Sequence, residues 1–98
     1  MEAKKIIITG GATRIGAAIA KSIASFDTKI TIHYNTSKKD AGKIKSELEN
    51  LGSEVFLVKA NFENQKQTKS LLKQAYQKMK GVDCLINNAS VFENDNLL

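Results

Sequence analysis

At 98 residues the chain can form one small domain or part of a larger one. Its net charge of +5 comes from fourteen lysines against a single arginine, dispersed and without interleaved aromatics, which argues against a nucleic-acid surface. No run of about 18 apolar residues is present to span a membrane, Ile6–Ile8 is too short for a signal-peptide core, and the lone cysteine forms no internal disulfide, so a cytoplasmic location is expected.

Strand–helix alternation runs along the chain. The apolar run Ile6-Ile7-Ile8 predicts a buried strand over about Lys5–Thr9. Ile15, Ala18, Ile19, Ser22, Ile23 and Phe26 then mark one face of a helix over about Arg14–Phe26. A second strand is expected over Lys29–Tyr34, with Ile30, Ile32 and Tyr34 on one face. Its helix, from about Lys38 to Leu51, places Ala41, Ile44, Leu48 and Leu51 on the apolar side, with Ser37 as N-cap and Gly52 as stop. A third strand follows over Glu54–Ala60. Asn64 with Gln67 resembles a capping box, ahead of a helix carrying Leu71, Leu72, Ala75, Tyr76 and Met79 and stopped by Gly81. The fourth strand, Val82–Ile86, opens into Asn87-Asn88-Ala89-Ser90. Cys84, within that apolar stretch, is expected to be a buried core thiol.

This pattern predicts an α/β chain with a Rossmann-type parallel sheet, right-handed crossovers and strand order 3-2-1-4. The Thr9 turn, the Tyr34 loop, the Ala60 loop and the Asn87 loop would then converge on the carboxyl edge of the sheet. Thr9-Gly10-Gly11-Ala12-Thr13-Arg14-Ile15-Gly16, between the first strand and the first helix, has the character of a phosphate cradle. Gly10 permits the tight turn, Gly16 allows close approach, and the helix N-terminus offers free N–H groups and partial positive charge. It is not the G-x-G-x-x-G fingerprint, because Ala12 stands at the second glycine. Gly11 and Gly16 have P-loop separation, but Ala17-Ala18 follow in place of Lys and Ser or Thr. With one histidine and one cysteine, a zinc site from this chain alone is excluded.

The turn resembles the T-G-x-x-x-G-x-G motif of the short-chain dehydrogenase/reductase family, with Arg14 at the middle glycine. Asp83-Cys84-Leu85-Ile86-Asn87-Asn88-Ala89 is similar to that family's D-x-L-I-N-N-A signature. The resemblance covers the whole chain, making residues 1–98 the N-terminal part of an NAD(P)-binding Rossmann domain. It implies cofactor contacts from Gly10, Arg14, Ile15 and Gly16 at the turn and from Tyr34, Asn35 and Ser37 after the second strand. Asn61 stands where the family usually has the Asp that receives the adenine amino group, and its side-chain carbonyl can accept the same bond. Asn88, Ala89 and Ser90 would border the cofactor on the other side. No carboxylate lies between His33 and Lys39, so NADP(H) is favoured over NAD. His33 reads equally as a half-buried strand-end residue and as a ligand contact. A narrower resemblance, to pteridine reductases, rests on Arg14, Ser90 and Phe92, which it implies as substrate contacts, with Phe92 stacking on a planar ring.

In this family the reaction depends on a Ser and a Tyr-x-x-x-Lys pair further along the chain. Tyr34 with Lys38 and Tyr76 with Lys80 match by count but fall on the wrong elements, so no catalytic residue is assigned. The expectation is a reductase fragment, inactive alone, with a small-molecule substrate in the intact enzyme. A complementing C-terminal half, a homo-oligomer or a stand-alone nucleotide-binding module are the other arrangements considered. The fourth strand would present an apolar edge prone to pairing.

Overall fold

The computed structural model describes residues 3–61 and 63–88. Its elements run β1 Lys4–Thr9, α1 Arg14–Ile23, β2 Thr28–Tyr34, α2 Lys38–Asn50, β3 Glu54–Lys59, α3 Gln65–Met79 and β4 Cys84–Asn87. The four strands form one parallel sheet in the order β3-β2-β1-β4, as the alternation predicts. Ile8 of β1 lies level with Ile32 of β2 and Ile86 of β4, and Tyr34 lies level with Lys59. All four strands therefore finish along one edge.

The strand sequences explain the layering. Ile6 and Ile8, with Ile30, Ile32 and Val55, pack against Ala20 of α1 and Ile44 and Leu48 of α2. Ile7 points the other way, into Ala75 and Met79 of α3. A strand buried on both faces shows no polar alternation, which is why β1 is a continuous isoleucine run. Thr31 shares the α3 side of the sheet, level with Ile7 and Phe56, and is fully buried; its hydroxyl has no hydrogen-bond partner among the described residues.

Several side chains depart from the periodicity. α1 ends at Ile23, not at Phe26, which is exposed. The Ser25 N–H is taken by the hydroxyls of Thr28 and Ser53 (3.1 and 3.0 Å), an alternative to continuing the helix. Leu51, Leu72 and Tyr76, expected on apolar helix faces, are exposed. β4 begins at Cys84, and that thiol is exposed and not in the core. Among the described residues the strand sits at the sheet edge, paired with β1 alone. It is held there by Lys5, whose N–H donates to Asp83 Oδ2 (2.9 Å) and whose carbonyl accepts from the Asp83 N–H (2.7 Å).

The capping expectations divide. Asn64 caps α3 by accepting from the N–H groups of Lys66 and Gln67, but Gln67 accepts from the Asn61 N–H (2.7 Å) and so does not complete the box. Ser37 occupies the N-cap position of α2 without using its side chain there.

Candidate functional site

The carboxyl end of β1 turns at Gly10, whose φ of 64° is the left-handed conformation that a side chain disfavours. The turn is then folded onto its own carbonyl. Gly10 O accepts from the Thr13 N–H (3.1 Å), the Thr13 hydroxyl (2.8 Å) and the Asn88 carboxamide (3.2 Å). Thr13 is also the N-cap of α1, its Oγ1 accepting from the Gly16 N–H at 3.1 Å. A Cβ on Gly16 would stand 2.2 Å from Gly10 O, so α1 reaches the turn only because residue 16 has no side chain.

This packing decides which amides remain for a ligand. The Gly10 N–H is given to His33 Nδ1 (2.9 Å) and the Gly11 N–H to the His33 carbonyl (3.1 Å). Thr13, Gly16 and Ala17 donate within the turn and helix. The N–H groups of Arg14 and Ile15, the first two residues of α1, find no acceptor among the described residues. Both side chains are exposed, and Arg14 has no ion-pair partner among the described residues. Two free amides at a helix N-terminus beside a guanidinium form a site for an anion.

The neighbouring strand end repeats that chemistry. After β2, Tyr34 is half-buried and Asn35 and Ser37 are exposed. Lys38 and Lys39 open α2, where the helix dipole already disfavours cations, with Asp40 the acidic residue of that turn. Neither lysine is ion-paired among the described residues, whose salt bridges are Lys21–Glu47 and Lys29–Glu54. Two exposed ammonium groups at that turn could meet an anion.

Beyond β3, Asn61 Oδ1 accepts from the Glu63 N–H at 2.9 Å. One of the carbonyl's two acceptor sites is thus spent locally, and the other remains. On the opposite flank, Asn87 lies level with Thr9 and its Oδ1 meets the Thr9 hydroxyl (3.3 Å), while Asn88 also reaches Thr13 Oγ1 (3.2 Å). Gly10, Arg14, Ile15, Gly16, Tyr34, Asn35, Ser37, Asn61 and Asn88 all stand along the same edge. Ala89, Ser90 and Phe92 lie outside the described residues.

Two organisers of the site were not legible as such. Thr13 reads as a spacer in the motif, yet its hydroxyl joins turn, helix and Asn88; its position three residues before Gly16 is the signal that could have shown it. His33 is buried, with its Nε2 against Ala60 O at 2.8 Å. Burial pushes its pKa below the ordinary value, against the opposing effect of the Ala60 carbonyl.

A parallel sheet in the order 3-2-1-4 with a glycine turn feeding a helix N-terminus defines the Rossmann-type fold class. Within it, the model of the short chain dehydrogenase family matches residues 4–97. The chain is 32% identical over 95 residues to a 3-oxoacyl-(acyl-carrier-protein) reductase FabG of Staphylococcus epidermidis, covering 97% of this chain and 38% of the relative. It is 31% identical over 93 residues to an uncharacterized oxidoreductase of Methylorubrum extorquens, covering 95% of this chain and 38% of the relative. A short chain dehydrogenase of Burkholderia cenocepacia, solved in complex with NADP, superposes with a TM-score of 0.84 at 30% identity, over 93% of this chain and 37% of that one. The chain belongs to the short-chain dehydrogenase family, and it spans 38% of the length of these curated relatives.

Proposed function

We propose that this chain is the cofactor-binding part of an NADP(H)-dependent short-chain oxidoreductase. The observation that carries the reading is the pair of unspent amides at Arg14 and Ile15, beside a second strand end that offers hydroxyl and ammonium groups and no carboxylate before Asp40. The pyrophosphate would lie across the N-terminus of α1, held by those amides and Arg14, with Gly10 and Gly16 giving room. The 2′-phosphate would take the Ser37 hydroxyl, left unspent by α2, and the Lys38 and Lys39 charges, with Tyr34 and Asn35 against the adenosine. Asn61 would receive the adenine amino group, and Asn88, Ala89 and Ser90 would border the other side.

A bound nicotinamide supplies hydride for reduction of a carbonyl or C=N bond. The residues described here bind and orient; none is placed to donate the accompanying proton. Tyr76 sits near the far end of α3, and Tyr34 and Lys38 lie on a strand end and a helix start and not on one helix face. The chain alone is therefore read as inactive, its substrate chosen by residues outside it. A complementing segment, or a second copy, would cover the β4 edge, where Leu85 is exposed. A cytoplasmic location belongs to the same reading.

Titration with NADPH and NADH, followed by nucleotide fluorescence, tests it. Saturable binding that favours NADPH, weakened about tenfold by Ser37→Ala as expected for one lost hydrogen bond to a charged group, supports the reading. Equal or absent binding of both nucleotides refutes it. A narrower reading, reduction of a pterin, is favoured by the exposed Arg14 at the middle-glycine position, without an ion-pair partner among the described residues, with Ser90 and Phe92 as its further substrate contacts. Added dihydropterin quenching the fluorescence of bound NADPH in the wild type and not in Arg14→Ala would support it.

A further inference from the structure

In a sheet ordered β3-β2-β1-β4, the glycine turn after β1 and the Ala60-Asn61 loop after β3 are not neighbours; β2 lies between them. Strands are spaced by roughly 4.8 Å, so two strand ends separated by a third stand about 10 Å apart. No ladder bond can join them. Each is tied to β2 by a backbone bond, Gly11 N–H to His33 O at 3.1 Å and Ala60 N–H to Tyr34 O at 3.0 Å. The direct link is the imidazole of His33, which accepts from the Gly10 N–H through Nδ1 (2.9 Å) and meets Ala60 O through Nε2 (2.8 Å).

The partners determine the protonation state. An amide N–H requires a lone pair on Nδ1, and a carbonyl oxygen requires a proton on Nε2. The ring is thus the neutral Nε2–H tautomer, and its burial favours that uncharged form. Because the imidazole is planar and stiff, the two partners are held at one separation. The same bond turns the Gly10 N–H away from the cradle, leaving the Arg14 and Ile15 amides to meet an anion.

We propose that His33 is a positioning residue for the dinucleotide, setting the distance between the pyrophosphate turn and the loop that receives the adenine. The proposal rests on the NADP(H) reading of the site and concerns how the cradle is kept at the right span. A dinucleotide bridges those two loops, so a cradle already at the bound spacing loses less order on binding.

The test uses the full 15N-labelled chain with His33→Gln, His33→Asn and His33→Phe. A Gln carboxamide carries one acceptor and one donor side by side, as the neutral imidazole does; Asn carries the same pair on a chain one methylene shorter. In the wild type the ring nitrogens are expected to report a proton on Nε2 and none on Nδ1. Amide exchange at Gly10 is expected to speed up about tenfold or more in His33→Phe, with Ile7 and Ile8 still protected. NADPH binding is expected to weaken about tenfold in His33→Phe and to be restored in His33→Gln. Should the Phe variant fail to fold, the Asn variant takes its place, with the same loss expected relative to Gln. A proton on Nδ1, unchanged exchange at Gly10, or NADPH affinity equal to wild type in the Phe or Asn variant overturns the positioning role. A wild-type chain with the expected tautomer and exchange that binds no NADPH overturns the dinucleotide reading itself.

Discussion

Gly16→Ala isolates the close approach on which the glycine turn depends. The added Cβ would lie 2.2 Å from Gly10 O and 2.8 Å from Gly11 Cα, both backbone atoms with no rotamer to yield. Restoring an ordinary contact of 3.4 Å requires turn and helix to part by about 1.2 Å. Moving the carbonyl that far breaks the bonds it accepts from the Thr13 N–H, the Thr13 hydroxyl and the Asn88 carboxamide. Sliding the helix breaks the Gly16 N–H bond to Thr13 instead. One to three net hydrogen bonds at ~1 kcal/mol each, plus overpacking strain of at least ~1 kcal/mol, outweigh the ~1 kcal/mol that Ala gains over Gly in a helix. The variant is expected to lose about 1–3 kcal/mol, a sizeable share of the roughly 5–15 kcal/mol typical of native domains. Gly42, in α2, is the internal control, since a Cβ there meets nothing within 4 Å. Gly42→Ala should gain about 0.5–1 kcal/mol. Urea unfolding of both variants is the assay, and opposite shifts in midpoint are the expected result. A Gly16→Ala chain as stable as wild type, or stabilised like Gly42→Ala, would refute the argument from close approach.

Two further outcomes follow from buried polar groups. Thr31→Val removes a hydroxyl that is fully buried and without a partner among the described residues while keeping the β-branched shape, and should stabilise the chain by ~1 kcal/mol in urea unfolding; a loss of stability would mean the hydroxyl is satisfied. His33 gives the fold a pH dependence of known sign. Its pKa in the fold lies below the ordinary 6.5, so between the two values the unfolded chain binds more protons and stability drops as pH falls below 6.5. The drop reaches at most ~1.4 kcal/mol per pH unit for one proton and ends below the folded value. It should be absent from His33→Gln, and an equal pH profile in that variant would show that other groups carry it.

The sheet order was legible because each strand has a compositional reason that does not depend on its neighbours. An all-isoleucine run such as Ile6–Ile8 satisfies two covered faces, and a helix with Ala41, Ile44 and Leu48 in phase has one face to bury. What failed was burial at the margins. Cys84 and Leu85 are as apolar as Ile7, but apolarity states a demand for cover and not whether cover exists. The edge position of β4 leaves that demand unmet among the described residues. Phe26 continues the helical phase of α1, yet the Ser25, Thr28 and Ser53 hydroxyls end the helix first, and one of those three is supplied from 28 residues away.

The same distinction separates the legible part of the site from the rest. Gly10, Arg14 and Gly16 form a pattern eight residues long when counted from Thr9, and local spacing is what a sequence displays. His33 and Asn88 act through partners that are remote in the chain, and Thr13 joins its near neighbours Gly10 and Gly16 to Asn88. His33 meets Gly10 across 23 residues and Ala60 across 27, and Asn88 meets Thr13 across 75. From its chain neighbours alone, a strand-end histidine reads evenly as core or as ligand contact. The fold places His33 in the interior, with backbone partners at both ring nitrogens, one in the Gly10 turn and the other at Ala60 after β3. A buried polar side chain with both ends satisfied by backbone at a strand terminus specifies the position of that backbone. At the carboxyl edge of a parallel sheet, where the loops form the site, fixing the backbone fixes the geometry available to a ligand.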